Sequence, residues 1–166
     1  MLFALKVLTV VFVAVAMALA LAHALELPGK MRLAKEQYLT IQAIYYPGFT
    51  IGGAAEPVGL LLVLILVFAL PAGSVAFWLT LAAFLALLAM HAAYWLLTHP
   101  VNNFWLKDLK PKGLGARFFA FDPLRRVEDA GTPDWIVLRN QWEFSHLIRA
   151  ALGIVGLILI ASAAMV

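Results

Sequence analysis

The sequence predicts an all-α fold, a bundle of four antiparallel transmembrane helices, and three observations predict it. Apolar residues make up 64% of the chain and charged residues only 13%, with a mean hydropathy of +0.96, far from the balance of a soluble domain. The apolar residues are gathered into four runs, two unambiguously and two with extension long enough to cross hydrocarbon, which takes roughly 20 residues. Proline, glycine or charge punctuates the runs, as helix ends require. The 166 residues leave no room for a second large domain, so residues 1–166 are read as one helical-bundle domain. The chain has no cysteine, which excludes disulfides, thiolate metal sites and CxxC redox chemistry. A net charge of only +3 speaks of membrane topology and not of a nucleic-acid partner.

The first helix is expected over residues 2–26, "LFALKVLTVVFVAVAMALALAHALE", with Pro28 and Gly29 breaking it. "AHA" resembles a signal-peptide cleavage site, but the apolar stretch is too long for a secretory h-region, so an uncleaved helix is expected. Residues 30–50 mix charges, tyrosines and apolar residues and read as an interfacial segment near the headgroups. The second helix is expected over 51–71. Starting it at Ile51 gives a full span, takes Glu56 into the membrane and puts Pro57 in the first turns, where its missing N–H costs little. "PAGS" is a tight connection to the third helix, 74–99, which Pro100 is expected to end. A long polar loop follows, and the fourth helix is expected over 136–165.

Charge asymmetry predicts orientation. Lys30, Arg32 and Lys35 follow the first helix. Lys107, Lys110, Lys112, Arg117, Arg125, Arg126 and Arg139 follow the third, whereas the turn between the second and third carries no charge. The positive-inside rule then makes both long loops cytoplasmic and puts both termini outside, in the cell (inner) membrane. Trp95, Trp105, Trp135 and Trp142 crowd the inner boundary as an aromatic belt would. Membrane lipids are the expected surroundings, with a homo-oligomer as an open possibility.

The candidate chemistry lies at that same end. His23, His91, His99 and His146 all map there, with Glu26, Glu56 and Glu143 at the same level, and the outer half holds only Lys6. Ionisable groups within a membrane are expensive, roughly 2.5–3.5 kcal/mol each even on the lower scale for mid-bilayer, so they need partners or a function. His23 and Glu26 stand three apart on one helix face, and Glu143 and His146 stand three apart in the reverse order. Glu-x-x-His on inward faces is how helix bundles hold metal pairs. His23, Glu26, Glu56, His91, His99, Glu143 and His146 are therefore candidate ligands for iron, copper or zinc, and haem between two histidines is the weaker cofactor reading. Arg139, Glu143, His146, Arg149 and Gly153 form a stripe on the fourth helix, and Gly153 and Gly156 permit a close helix approach. A metal-free reading stands beside this one. The same groups make a polar substrate pocket, with His146 as general base, or a structural ion-pair cluster that fixes helix register.

"THPVNNFWL" after the third helix, and W-x-x-L-R-x-x-W-E-x-S-H-x-x-R from Trp135 to Arg149, resemble the anthrone oxygenase-like family of small four-helix integral membrane proteins. The resemblance draws attention to Pro100, Asn102, Arg139, Trp142, Glu143, His146 and Arg149, and implies oxidation of a polycyclic phenolic substrate by dioxygen in some members. The expectation is thus an oxidoreductase acting on a small lipophilic or aromatic substrate. His146, Glu143 and Arg139 would be catalytic, and Arg149, Asn102, Trp142 and Tyr94 would contact the substrate. The alternative is a non-enzymatic membrane subunit or small-molecule-binding protein.

Overall fold

A computed structural model describes residues 1–105 and 134–166, and the long loop expected between the third and fourth spans lies outside the described residues, as do Lys107, Lys110, Lys112, Arg117, Arg125 and Arg126. The described chain is helical, without a strand. Its elements are α1 (Leu2–Lys30), α2 (Lys35–Tyr45), α3 (Gly48–Gly53), α4 (Ala55–Ala69), α5 (Val75–Ala93), a π-helical segment Tyr94–Thr98, α6 (His99–Trp105) and α7 (Trp135–Met165). Among the described residues, four helical stretches are long and apolar enough to cross a membrane: Leu2–Lys30, Gly48–Ala69, Val75–Asn102 and Trp135–Met165. Helices suit that medium because every interior backbone group finds its partner within the segment.

Two expected boundaries are corrected. Pro28 does not end α1, which continues to Lys30 with the proline in its last turns. A proline there costs little because few N–H bonds remain to be lost, and the Arg32 side chain donates to the Pro28 carbonyl at 3.0 Å. Pro100 does not end the third span either. The wider π turn precedes it, with His99 N–H bonded to the Tyr94 carbonyl five residues back. This lets the proline enter α6 without meeting an α-helical carbonyl ladder. The Gln141 side chain donates to the Leu97 carbonyl within that turn at 3.0 Å. The second span is assembled from α3 and α4 with a break at Ala54, and Pro57 occupies the first turn of α4 as expected.

Local chemistry sets the other ends. The Ser74 hydroxyl caps α5 by accepting from Phe77 N–H at 3.1 Å, after Gly73 turns the chain at a positive φ of 81°. The Asp134 carboxylate caps α7 by accepting from Ile136 N–H at 3.0 Å.

α1 and α5 each pack against both α4 and α7. The core between them is lined with small and branched residues such as Val13, Ala16, Val63, Ala83, Leu87 and Ile160. Leu61, Phe68, Trp78, Leu85 and Ile158 point outward and are exposed, a surface suited to lipid and not to water. A Cβ added at Gly153 would lie 3.2 Å from Met17 Cα, and one at Gly156 would lie 2.9 Å from a Leu87 methyl. The first clash is with backbone and the second with a movable side-chain tip. Gly153→Val is therefore expected to destabilise the detergent-solubilised protein by about 1–3 kcal/mol, and Gly156→Ala by less, in thermal unfolding followed by circular dichroism.

Candidate functional site

The end of the bundle that carries the histidines holds two ionic clusters, with a cavity of about 440 Å³ beside them. The first cluster is centred on Glu56, near the start of α4. Its Oε2 meets Arg149 Nη2 of α7 at 2.6 Å and its Oε1 meets His91 Nδ1 of α5 at 2.9 Å. Trp95, one turn beyond His91, donates its indole N–H to His91 Nε2 at 3.0 Å. Arg149 Nη1 lies 3.3 Å from His146 Nδ1, and the guanidinium stands over the Tyr94 ring at 5.1 Å. Glu56, His146 and Arg149 are all buried.

The direction of each of these bonds follows from groups that can only donate. Trp95 gives its proton to His91 Nε2, so the His91 proton sits on Nδ1 and points at the Glu56 carboxylate. Arg149 can only donate, so His146 accepts at Nδ1 and carries its own proton on Nε2. Trp95, His91, Glu56, Arg149 and His146 thus form one hydrogen-bonded chain that ends at the buried Nε2–H of His146.

The second cluster is centred on Lys30. Its ammonium group lies 3.1 Å from Glu26 Oε2 and 3.4 Å from Glu143 Oε2, and it stands 4.8 Å from the centre of the Trp142 ring. Sequence places Lys30 in a loop, as a topology charge. It is instead only 3% exposed, because α1 runs one turn further than expected and delivers the side chain between two carboxylates. Two tyrosines from α2 complete the cluster: Tyr38 donates to Glu143 Oε1 at 2.8 Å and Tyr45 to Glu26 Oε2 at 2.6 Å. Burial, together with the neighbouring Glu143 carboxylate, pushes the Tyr38 hydroxyl far above the usual phenol range. Burial and the bond to Glu26 do the same for Tyr45. Both therefore remain proton donors across the physiological range.

Between the clusters the His23 and His146 rings lie 4.2 Å apart, centre to centre, and Trp142 packs edge-on against both at 4.9 and 4.3 Å. Tyr45 and Phe49 close on His23 at 4.5 and 4.6 Å. Asn102 accepts from the Trp142 indole N–H at 2.8 Å and holds that ring. Trp142 and Trp105 are buried within the bundle, so they do not serve the lipid-facing belt expected of them.

Of the expected site residues, His23, Glu56, His91, Tyr94, Asn102, Trp142, His146 and Arg149 line the cavity. Glu26 and Glu143 stand behind it, engaged by Lys30 and the tyrosines. His99 is buried against the rings of Trp95 and Tyr94 at 4.7 and 5.8 Å and does not line the cavity. Arg139 does not reach it either: its guanidinium bonds Asn140 Oδ1 at 3.1 and 3.2 Å and covers Trp135 at 5.0 Å. Glu143 therefore pairs with Lys30, and not with the Arg139 four residues before it on the same helix. The participants that the sequence did not assign to the site are Lys30 and Trp105, read as a topology charge and a belt residue, and Tyr38, Gln42, Tyr45 and Phe49. Lys30 stands four after Glu26, and Tyr38 and Tyr45 are seven apart on one helix face. Those spacings are the signal the sequence carried for them.

The candidate metal ligands are engaged with one another. His91 uses both ring nitrogens, Glu143 both oxygens and Glu56 both oxygens. Among the described residues no three His, Asp or Glu side chains are grouped as ligands of one ion. His23 Nδ1 and His146 Nε2 are the imidazole atoms here that are buried with no hydrogen-bond partner among the described residues. As arranged, the donor set does not fit iron, copper or zinc with three or more protein ligands.

The fold and the site define a helical membrane protein with, among the described residues, four stretches long and apolar enough to span, and a cavity lined by aromatic and polar side chains. Comparison with protein-family models, curated proteins and solved structures finds no match.

The Tyr38 bond is inaccessible to water and the Tyr45 bond is not, since the Glu26 side chain is 42% exposed and that of Glu143 only 2%. Tyr38→Phe is expected to lower stability by about 1.5–3 kcal/mol, the range for a bond to a buried charge. Tyr45→Phe should lower it by well under half as much. Chemical denaturation in mixed micelles checks the contrast.

Proposed function

We propose that the protein binds a small, lipophilic, aromatic molecule drawn from the bilayer, in the cavity between His23, Trp142 and Arg149. The observation that carries this reading is the wall itself. Rings from α1, α2, α3 and α7 enclose about 440 Å³, within the roughly 300–1,000 Å³ of small-molecule sites, and polar residues such as Gln42, Asn102 and His146 line the same space. The Glu56–Arg149 and Lys30–Glu143 pairs supply no metal chemistry in this reading. They neutralise each other and hold the walls apart at a defined spacing.

The proposal includes topology. The four spans run antiparallel in the inner membrane, with Lys6 of α1 beside the Ala163 carbonyl of α7 at 3.4 Å and the histidines gathered at the other end. Both termini lie outside, and α2 is an interfacial segment at the cytoplasmic face, where the exposed Arg32 and Lys35 meet the headgroups.

A second reading, an oxidoreductase of the oxygenase type acting on the bound molecule, is favoured by one feature: the adjoining imidazoles of His23 and His146, each with a nitrogen uncommitted among the described residues. In it His23, whose ring lines the cavity, moves a proton and the adjoining His146 ring supports it. Oxygen uptake with a lipophilic phenol, abolished in both His23→Phe and His146→Phe, would establish this activity. No uptake in nanodiscs that demonstrably bind the phenol would remove it.

The binding reading is tested by filling the cavity. Gly53 lines it, and a Cβ there meets nothing within 4 Å. A saturable, one-per-chain signal from an environment-sensitive naphthalene fluorophore is expected in nanodiscs. Gly53→Trp should weaken it at least tenfold while leaving the unfolding temperature within a few degrees. A non-saturable signal identical to that of empty nanodiscs would overturn the reading.

A further inference from the structure

Two walls of the cavity are helical faces that look at each other across it. Gly53, Ala54 and Pro57 share one side of the α3–α4 stretch, and His91, Tyr94 and Trp95 share one side of α5 and the π segment. α3 packs against α1 and α2, whereas the π segment packs against α5, α6 and α7. Among the described residues this leaves the side between α3 and the π segment as the weakly packed one. α4 and α5 pack together and are joined through the turn at Gly73, so the gap is a slot that is closed towards that turn.

Exposure marks the mouth. At the end of the cavity next to α2, Gln42, Trp105 and Trp142 are buried. Among the described residues that line the cavity, the exposed ones are Ala54 and Pro57, one edge of the slot. Val58 and Leu96, the next residues along the two edges, are exposed and apolar as well. Glu56, beside Pro57, is buried and held by Arg149 at 2.6 Å and His91 at 2.9 Å, so its charge is matched inside the bundle and not at the mouth.

Depth decides what the mouth meets. From the turn that joins α4 to α5, Pro57 lies about 18 Å along α4 and His91 about 24 Å along α5, at 1.5 Å per residue. With that turn at one membrane surface, both fall within the roughly 30 Å of hydrocarbon. The slot therefore opens among lipid chains.

We propose that the ligand is an aromatic headgroup on an aliphatic chain, with the ring system in the cavity among Tyr45, Phe49 and Trp142 and the chain leaving through the slot between Ala54 and Trp95 into the bilayer. The inference rests on the small-molecule reading above and specifies its ligand. A side opening at this depth suits such a molecule, because its chain stays in the medium that already solvates it and only the ring has to be enclosed. The ligand can then be much larger than the cavity that holds its head.

The test uses the full chain in nanodiscs and the naphthalene fluorophore carrying no chain, a hexyl chain or a hexadecyl chain, with affinities expressed per mole of lipid so that partitioning cancels. The three are expected to bind within about threefold of one another. A hexyl chain ending in trimethylammonium should bind at least about tenfold more weakly, since the slot would deliver its charge into hydrocarbon. Ala54→Trp, which adds bulk at the mouth, should weaken the hexadecyl probe at least about tenfold more than the chainless one, with thermal unfolding confirming that the variant is folded. Affinity that falls as the chain lengthens in the unsubstituted protein overturns the proposal and leaves the pocket standing. So does an ammonium-ended chain that binds like the plain hexyl one, or a folded Ala54→Trp variant that weakens both probes alike. Failure of every probe, the chainless one included, to bind saturably overturns the pocket reading and this inference with it.

Discussion

The contact between Glu56 and Arg149 is the constraint around which this end of the molecule is arranged. A carboxylate on α4 and a guanidinium on α7, 2.6 Å apart and both buried, can occupy a membrane protein's interior only as a pair. Removing either partner strands the other without solvent. The remaining valences are then spoken for in turn. The second Glu56 oxygen requires a donor and finds His91, whose other nitrogen is met by Trp95. The second Arg149 amino group requires an acceptor and finds His146. Each bond fixes the tautomer of the next, so a buried pair sets the hydrogen-bonding character of a ring on the far wall of the cavity.

The Lys30 cluster does comparable work with different geometry. One ammonium group faces two carboxylates, and the excess negative charge is met by tyrosine hydroxyls that stay protonated. Because those hydroxyls come from α2, the bonds do more than neutralise. They tie a segment outside the spanning stretches to α1 and α7 and bring Gln42 and Tyr45 to the cavity. With Lys35, Glu36, Gln37 and Thr40 among its residues, α2 has too little apolar surface to be held in place by burial alone. Aromatic packing adds to the tyrosine bonds: Tyr38 with Trp105, and Tyr45 with His23 and Phe49, fill the layer where the clusters meet.

The departures from helical regularity serve the same region. A π turn at Tyr94–Thr98 absorbs Pro100 and carries the helix on to Trp105, so that Asn102 and Trp105 arrive at the cavity. The opened backbone is compensated from α7 by Gln141. Thr98 and Ser145 bond at 2.8 Å within the same contact, and with Ser145 already donating to the Trp142 carbonyl, Thr98 is the donor. Polar residues that look dispersed along two helices thus join one interface.

The four spans were legible in the sequence because apolar length is a local property that the bilayer reads directly. Glu56, His91, His146 and Arg149 were legible as a group for a related reason: charge inside such a run is costly enough to imply partners. Which partner each would choose was not. Glu143 had Arg139 one turn away on its own helix and pairs with Lys30 from α1, because the rotation of α7 turns Glu143 inward and leaves Arg139 on Trp135. His99 shares a helix end with His91 and is turned away from the cavity by the π segment. Composition and spacing by themselves determined that four helices are long and apolar enough to cross a membrane and that ionisable groups collect at one end. Helix rotation, the run of α1 past Pro28 and the docking of α2 depend on contacts between residues distant in the chain, so only the tertiary structure decided which groups neutralise each other and which side chains line the cavity.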